Sequence, residues 1–125
     1  MLRLLYVDDD ADIREVAEIS LQMDSGMEVR TAASGAEALA ILSEGTWRPA
    51  ALLIDVMMPG LDGPATLARA RQLDGHAATP AIFMTARAMP DEVAGLEALG
   101  ALGVITKPFD PLSLAGEVRR LLERS

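Results

Sequence analysis

The chain contains no cysteine, which removes disulfide frameworks, thiolate metal ligands and cysteine nucleophiles together. Aromatic residues make up only 3% of its 125 positions, so the core must be built from Leu, Ile, Val, Ala and Met. Half of the residues are hydrophobic, enough for such a core. Positive charge is scarce: 11 Lys and Arg stand against 19 Asp and Glu, a net charge of −8. A nucleic-acid partner needs a basic face, so this balance argues against one and favours metal ions or basic partners. No apolar run is long enough to span a membrane, and Met1 to Val7 is too short for a secretory segment. A cytoplasmic protein is the default expectation. The length fits one domain, 1–125. No Walker-type or dinucleotide-binding glycine pattern occurs. The single histidine, His76, falls in a polar stretch and reads as surface filler.

What is present alternates between short apolar runs and amphipathic stripes. Leu2 to Val7 predicts a buried strand that runs into Asp8-Asp9-Asp10. Ile13, Val16, Ala17 and Leu21 form a helical stripe that Gly26 breaks, and Glu28 to Ala32 is a second strand. Ser34 and Glu37 have capping-box spacing, opening a helix that ends near Gly45. The run from Ala50 to Ile54 is continuous rather than alternating, as suits a strand buried on both faces of a parallel sheet, and it drives into Asp55. Pro59-Gly60 stops it. A helix is predicted from Pro64 to Leu73, a strand from Ala81 to Thr85, and a helix from Pro90 that Gly100 ends. Gly95 inside that helix should make it the loosest. A fifth strand covers Gly103 to Thr106. Asp110-Pro111 supplies a cap and first-turn proline for a last helix striped with Leu114, Val118, Leu121 and Leu122. Five strand–helix alternations without a linker predict a doubly wound α/β domain with a five-stranded parallel sheet.

Four of these strands end in polar residues: Asp8-Asp9, Asp55, Thr85 and Lys107. In the flavodoxin-like strand order 2-1-3-4-5, the strands carrying Asp9 and Asp55 are neighbours at the switch point where ligands bind. Adjacent strands lie about 4.8 Å apart, and two carboxylates that close resist joint ionisation without a cation. Oxygen donors with room for water suit Mg²⁺. Lys107, the only lysine in the chain, adds a point charge and Thr85 a hydroxyl. This set of groups describes phosphoryl transfer to Asp55.

Val7-Asp8-Asp9-Asp10, Ile54-Asp55-Val56-Met57-Met58-Pro59-Gly60-Leu61-Asp62-Gly63, Met84-Thr85-Ala86-Arg87 and Thr106-Lys107-Pro108-Phe109 resemble, in order and spacing, the motifs of two-component response-regulator receiver domains. The resemblance covers the whole chain. It implies that Asp55 takes a phosphoryl group from a phosphohistidine of a sensor histidine kinase or phosphotransfer protein, and that Asp9, Asp55 and the Met57 carbonyl bind Mg²⁺ while Asp8 holds a metal-bound water. It also implies that Thr85 and Lys107 touch the phosphoryl oxygens and that the Lys107-Pro108 peptide is cis. The family often carries an aromatic residue three positions before the lysine; here that residue is Val104, so an aromatic rotamer switch is not expected. With no output segment after the last helix, the expectation is a single-domain regulator, a monomer or weak dimer. It would signal by protein contact or onward phosphotransfer and catalyse only its own phosphorylation and dephosphorylation.

Each of these residues also has a plainer role open to it. The three aspartates can cap the first helix, Asp55 can be a turn residue, Lys107 and Thr85 can be surface and strand-end groups, and Met57 and Met58 read as packing residues. Two other functions compete. A phosphatase with an aspartyl-phosphate intermediate needs an acid two residues after the nucleophile, where Met57 stands. A protein-interaction module that has lost phosphorylation is opposed by the intact Asp8, Asp9, Asp55, Thr85 and Lys107.

Overall fold

The apolar runs form the strands and the striped segments the helices. The computed structural model describes residues 1–124, and in it the elements follow one another as β1 (Leu2–Val7), α1 (Ala11–Gln22), β2 (Met27–Ala32), α2 (Gly35–Glu44), β3 (Ala51–Asp55), α3 (Gly63–Ala70), β4 (Ala81–Thr85), α4 (Pro90–Ala98), β5 (Gly103–Thr106) and α5 (Leu114–Leu122). The sheet has the order β2-β1-β3-β4-β5 with every pairing parallel. β3 and β4 are buried at every position, which is why their sequences show no alternation. One face packs Leu4, Tyr6, Leu53, Ile82, Met84 and Ile105 against Ala17 and Leu21 of α1 and Leu114, Val118 and Leu121 of α5. The other packs Leu5, Val7, Leu52, Ile54 and Phe83 against α2 and α3 through Ala38, Leu42, Leu67 and Ala70. Burial of each such Leu or Phe side chain contributes about 1.5–3 kcal/mol.

The register sets the site. Val7 pairs with Ile54, Asp55 with Met84, and Thr85 with Thr106. Asp8, Asp55, Thr85 and Lys107 therefore finish four adjacent strands at one edge of the sheet. Gly63 closes the loop beneath Asp55. Its N–H donates to the Val56 carbonyl at 2.9 Å, and a Cβ there would lie 2.6 Å from the Asp55 carbonyl oxygen, so only glycine lets α3 start that close.

Several local expectations need correction. Ser34 caps α2 by accepting from the Glu37 N–H at 3.0 Å, but among the described hydrogen bonds Glu37 makes no return bond; its carboxylate is exposed and stays hydrated. α3 ends at Ala70 rather than Leu73. Gln72 and Leu73 bond back only three residues, to the carbonyls of Arg69 and Ala70, while Arg71 turns its guanidinium onto the carbonyls of His76, at 3.1 Å, and Thr79. That grip folds the following loop inward, and His76 is buried, with its Nδ1 3.1 Å from the Thr79 hydroxyl. It is not surface filler. Burial and the nearby Arg48 and Arg71 charges hold its imidazole below the ordinary pKa, so the ring is neutral at pH 7. The last helix begins at Leu114. Asp110 caps only a preceding turn, accepting from the Leu112 N–H at 2.9 Å, and the Pro111 carbonyl is taken by the Ser20 hydroxyl of α1.

α4 is the weakest element in packing terms: none of its residues is buried. A Cβ on Gly95 would meet nothing within 4 Å. Gly95→Ala is therefore expected to stabilise the protein by about 0.5–1 kcal/mol through the lower entropy of the unfolded chain. Urea unfolding at constant m-value measures it; an equal or lower midpoint would mean that α4 needs glycine for a reason its surroundings do not display.

Candidate phosphoryl-acceptor site

The three consecutive aspartates after β1 take three different roles. Asp10 is the N-cap of α1 and accepts from the N–H groups of Asp12 and Ile13 at 3.0 and 3.1 Å. Asp9 is exposed. Asp8 has no exposed surface, and a carboxylate so placed needs partners on both oxygens. Its Oδ1 accepts from the Asp10 N–H at 3.0 Å, and its Oδ2 from the Tyr6 hydroxyl at 2.5 Å and the Lys107 ammonium at 3.0 Å. Arg14 donates to the Asp8 backbone carbonyl at 2.8 Å, which ties α1 to the strand end.

Asp55 lies almost wholly buried at the end of β3, with its Oδ2 3.2 Å from Lys107 Nζ. Lys107 thus bridges the two carboxylates. Burial, then the Asp8 charge, push the Asp55 carboxyl up to about 6 against the opposing pull of Lys107. Burial draws the Lys107 ammonium down, but its hydrogen bond to Asp8 and the two carboxylate charges more than offset this and raise it. The lysine is charged throughout the physiological range. Burial and the bond to Asp8 also raise the Tyr6 phenol, so it remains a donor.

Thr85, buried at the end of β4, accepts from the Arg87 N–H at 3.1 Å. The Lys107 N–H donates to the Thr85 carbonyl at 2.7 Å, fixing the β5 end to the β4 end. The Lys107-Pro108 peptide is cis. Met58 packs, but Met57 does not: the residue is 77% exposed, because the β3–α3 loop leaves the sheet immediately after Asp55. The Arg87 guanidinium pairs with Glu92 at 3.3 Å. Val104 is half-buried against the α2–α3 side of the core.

Asp8, Asp9 and Asp55 each offer a carboxylate oxygen, and these oxygens lie within 4.8 Å of one another. The donor set is all oxygen, without nitrogen or sulfur, and partly solvent-facing through Asp9. It fits a hard divalent cation such as Mg²⁺. Every candidate from the strand-end pattern is therefore found at one edge of the sheet. Tyr6 is the residue that pattern missed; only its being the sole tyrosine, two positions from Asp8 on the same side of a buried strand, hinted at it.

The model of the response regulator receiver domain family matches residues 4–119. This chain is a receiver domain of a two-component response regulator. The receiver is 42% identical over 123 residues to the transcriptional regulatory protein PrrA of Mycobacterium tuberculosis, covering 98% of this chain and 50% of the relative. It is 39% identical to the CpxR homolog of Haemophilus influenzae, covering 100% of this chain and 52% of the relative. It thus spans about half the length of the curated relatives it matches. Among solved structures, the chemotaxis protein CheY4 of Vibrio cholerae superposes with a TM-score of 0.87 at 35% identity, over 97% of this chain and 98% of that one. Among the described residues of the receiver, no helix is long and apolar enough to cross a membrane.

Proposed function

We propose that the receiver accepts a phosphoryl group on Asp55 from a phosphohistidine of a sensor histidine kinase or phosphotransfer protein, in a Mg²⁺-dependent reaction. The observation that carries this reading is the Lys107 ammonium set between the carboxylates of Asp8 and Asp55 at 3.0 and 3.2 Å. It neutralises a nucleophile that would otherwise repel a phosphate. Asp8, Asp9, Asp55 and the Met57 carbonyl would hold the cation, which supplies charge neutralisation for the phosphoryl oxygens. A carboxylate oxygen of Asp55 forms the bond to phosphorus as the bond from phosphorus to the imidazole nitrogen breaks, and the phosphohistidine, protonated beforehand on its other ring nitrogen, departs as neutral imidazole. Lys107 then shifts its ion pair from the carboxylates to a phosphoryl oxygen. Thr85 turns its hydroxyl to donate to another.

The family is one of signalling domains, and the proposed chemistry is confined to the receiver's own phosphorylation and dephosphorylation. We read residues 1–125 as a single receiver that signals by protein contact or onward phosphotransfer, as a cytoplasmic monomer or weak dimer. The net charge of −8 supports protein rather than nucleic-acid partners. The test is intact mass after incubation with acetyl phosphate and Mg²⁺. One added phosphoryl group is expected, lost in Asp55→Ala and in EDTA. An unmodified wild type, or an equal gain in Asp55→Ala, overturns the reading.

A further inference from the structure

Tyr6 is the only tyrosine in the chain and has no exposed surface. Its ring fills the core beside Leu4, Leu53 and Met84, a task phenylalanine would perform equally. The hydroxyl is what needs an account. It donates at 2.5 Å to Asp8 Oδ2, the same oxygen that receives Lys107 Nζ at 3.0 Å. That length marks a charge-assisted bond of the strong kind.

On the reading proposed above, on which this inference rests, Lys107 leaves the two carboxylates for a phosphoryl oxygen. Asp8 Oδ2 then gives up the ammonium while the side chain remains buried, and the carboxylate must still keep its place beside the cation it would help to hold. Arg14 is no substitute, since it is committed to the Asp8 carbonyl. Among the described residues, the donors that stay on the carboxylate are the Asp10 N–H on Oδ1 and the Tyr6 phenol on Oδ2. We propose that Tyr6 is a positioning residue of the phosphoryl-acceptor site: its phenol holds the Asp8 carboxylate in place, so that Lys107 is free to move to the phosphoryl group. Without that donor Asp8 Oδ2 depends on Lys107, and the lysine is held back. The site would then prefer its resting arrangement over the phosphorylated one.

The equilibrium probe is beryllium trifluoride with saturating Mg²⁺, followed by fluorine NMR. Tyr6→Phe is expected to weaken trifluoride binding about tenfold, the scale of a hydrogen bond to a charged group. In an Asp8→Asn background, where the residue that Tyr6 braces no longer holds the lysine by charge, the same substitution should change binding by less than about twofold. Equal weakening in both backgrounds would assign Tyr6 to packing alone, and no weakening in the native background would remove it from the site; either overturns the proposal. A second readout needs neither metal nor phosphate. With one tyrosine, the ring-breathing doublet in the ultraviolet resonance Raman spectrum reports this phenol alone. Lys107→Met should push it toward the strong-donor limit as Asp8 loses its other partner, and an unchanged doublet overturns the coupling. Failure of the wild type to bind trifluoride would fall on the Asp55 reading as well. Normal wild-type binding with an unaffected Tyr6→Phe would fall on Tyr6 only.

Discussion

Asp55→Asn is expected to abolish phosphoryl uptake and at the same time to raise the stability of the metal-free receiver at pH 7 by about 1–2 kcal/mol. The stabilising half follows from the position of the carboxyl. Its folded pKa is pushed up to about 6 by burial and by the Asp8 charge, whereas an unfolded aspartate titrates near about 3.9. Between those values the folded state binds more protons than the unfolded one. Stability linked to Asp55 is therefore highest below about pH 4, falls as pH rises, and is lowest above about pH 6. The full shift would correspond to about 3 kcal/mol; water at the strand ends screens part of it, and the variant gives up one contact with Lys107, hence the smaller figure. Lys107 keeps its partner on Asp8 in the variant, so no charge is orphaned. Urea unfolding of both proteins from about pH 4 to about pH 8 measures the effect, because subtracting the two curves cancels the other carboxylates. The gap should open with pH and close in saturating Mg²⁺, whose binding to the native carboxylates favours the folded wild type. A gap independent of pH would mean that Asp55 ionises in the fold without penalty.

A phosphoryl group on Asp55 is expected to be long-lived, and Met57→Asn and Arg87→Glu are each expected to shorten its life about tenfold, a modest share of what a placed polar group contributes to proton transfer and water orientation. Hydrolysis needs a water held in line with the bond between phosphorus and the Asp55 oxygen. Met57 and Arg87 stand two positions after Asp55 and two after Thr85, in the loops that leave those two strand ends. Met57 presents a thioether that neither donates nor accepts well, and it stands out from the surface rather than packing, so it does nothing to hold a water. Arg87 cannot accept a proton, and its guanidinium is already drawn toward Glu92. An asparagine amide or a glutamate carboxylate at these positions gives the water a partner. The measurement is decay of the phosphorylated protein after donor removal. If the wild type decays as fast as the double variant, these side chains do not control the water. A long life would leave termination to a partner phosphatase or to back-transfer.

The residues differ in how readily the sequence reveals them. Asp55 was legible because a continuous apolar run into a carboxylate is rare without a reason, and because three other strands end in chemically matched groups. Asp10 as a helix cap was legible from position alone. The loop after α3 looks polar, which suggests an exposed His76; Arg71 gathers two of the loop's backbone carbonyls and draws it inward, a long-range geometry that local composition does not encode. Met57 departs from its sequence pattern in the opposite sense. Its hydrophobicity says core, but the chain leaves the sheet right after Asp55, and only the neighbouring Met58 turns inward. Asp110-Pro111 is a good cap pattern and suggests an earlier start for α5, yet the helix begins at Leu114 and the Ser20 hydroxyl bonds to the turn before it.

By itself the sequence determined the alternation of five strands and five helices, and with it the parallel sheet, because period and burial are properties of the local chain. It also determined which residues stand at the strand ends, since a strand stops where its apolar run stops. What only the tertiary structure decided is how those ends share their charges. The register of β1 on β3 and the return of β5 beside β4 place one ammonium between two carboxylates, and the burial of β1 turns the Tyr6 phenol onto Asp8. Charge sharing depends on distances of about 3 Å between groups far apart in the chain, and such distances are set by packing, which no local pattern records.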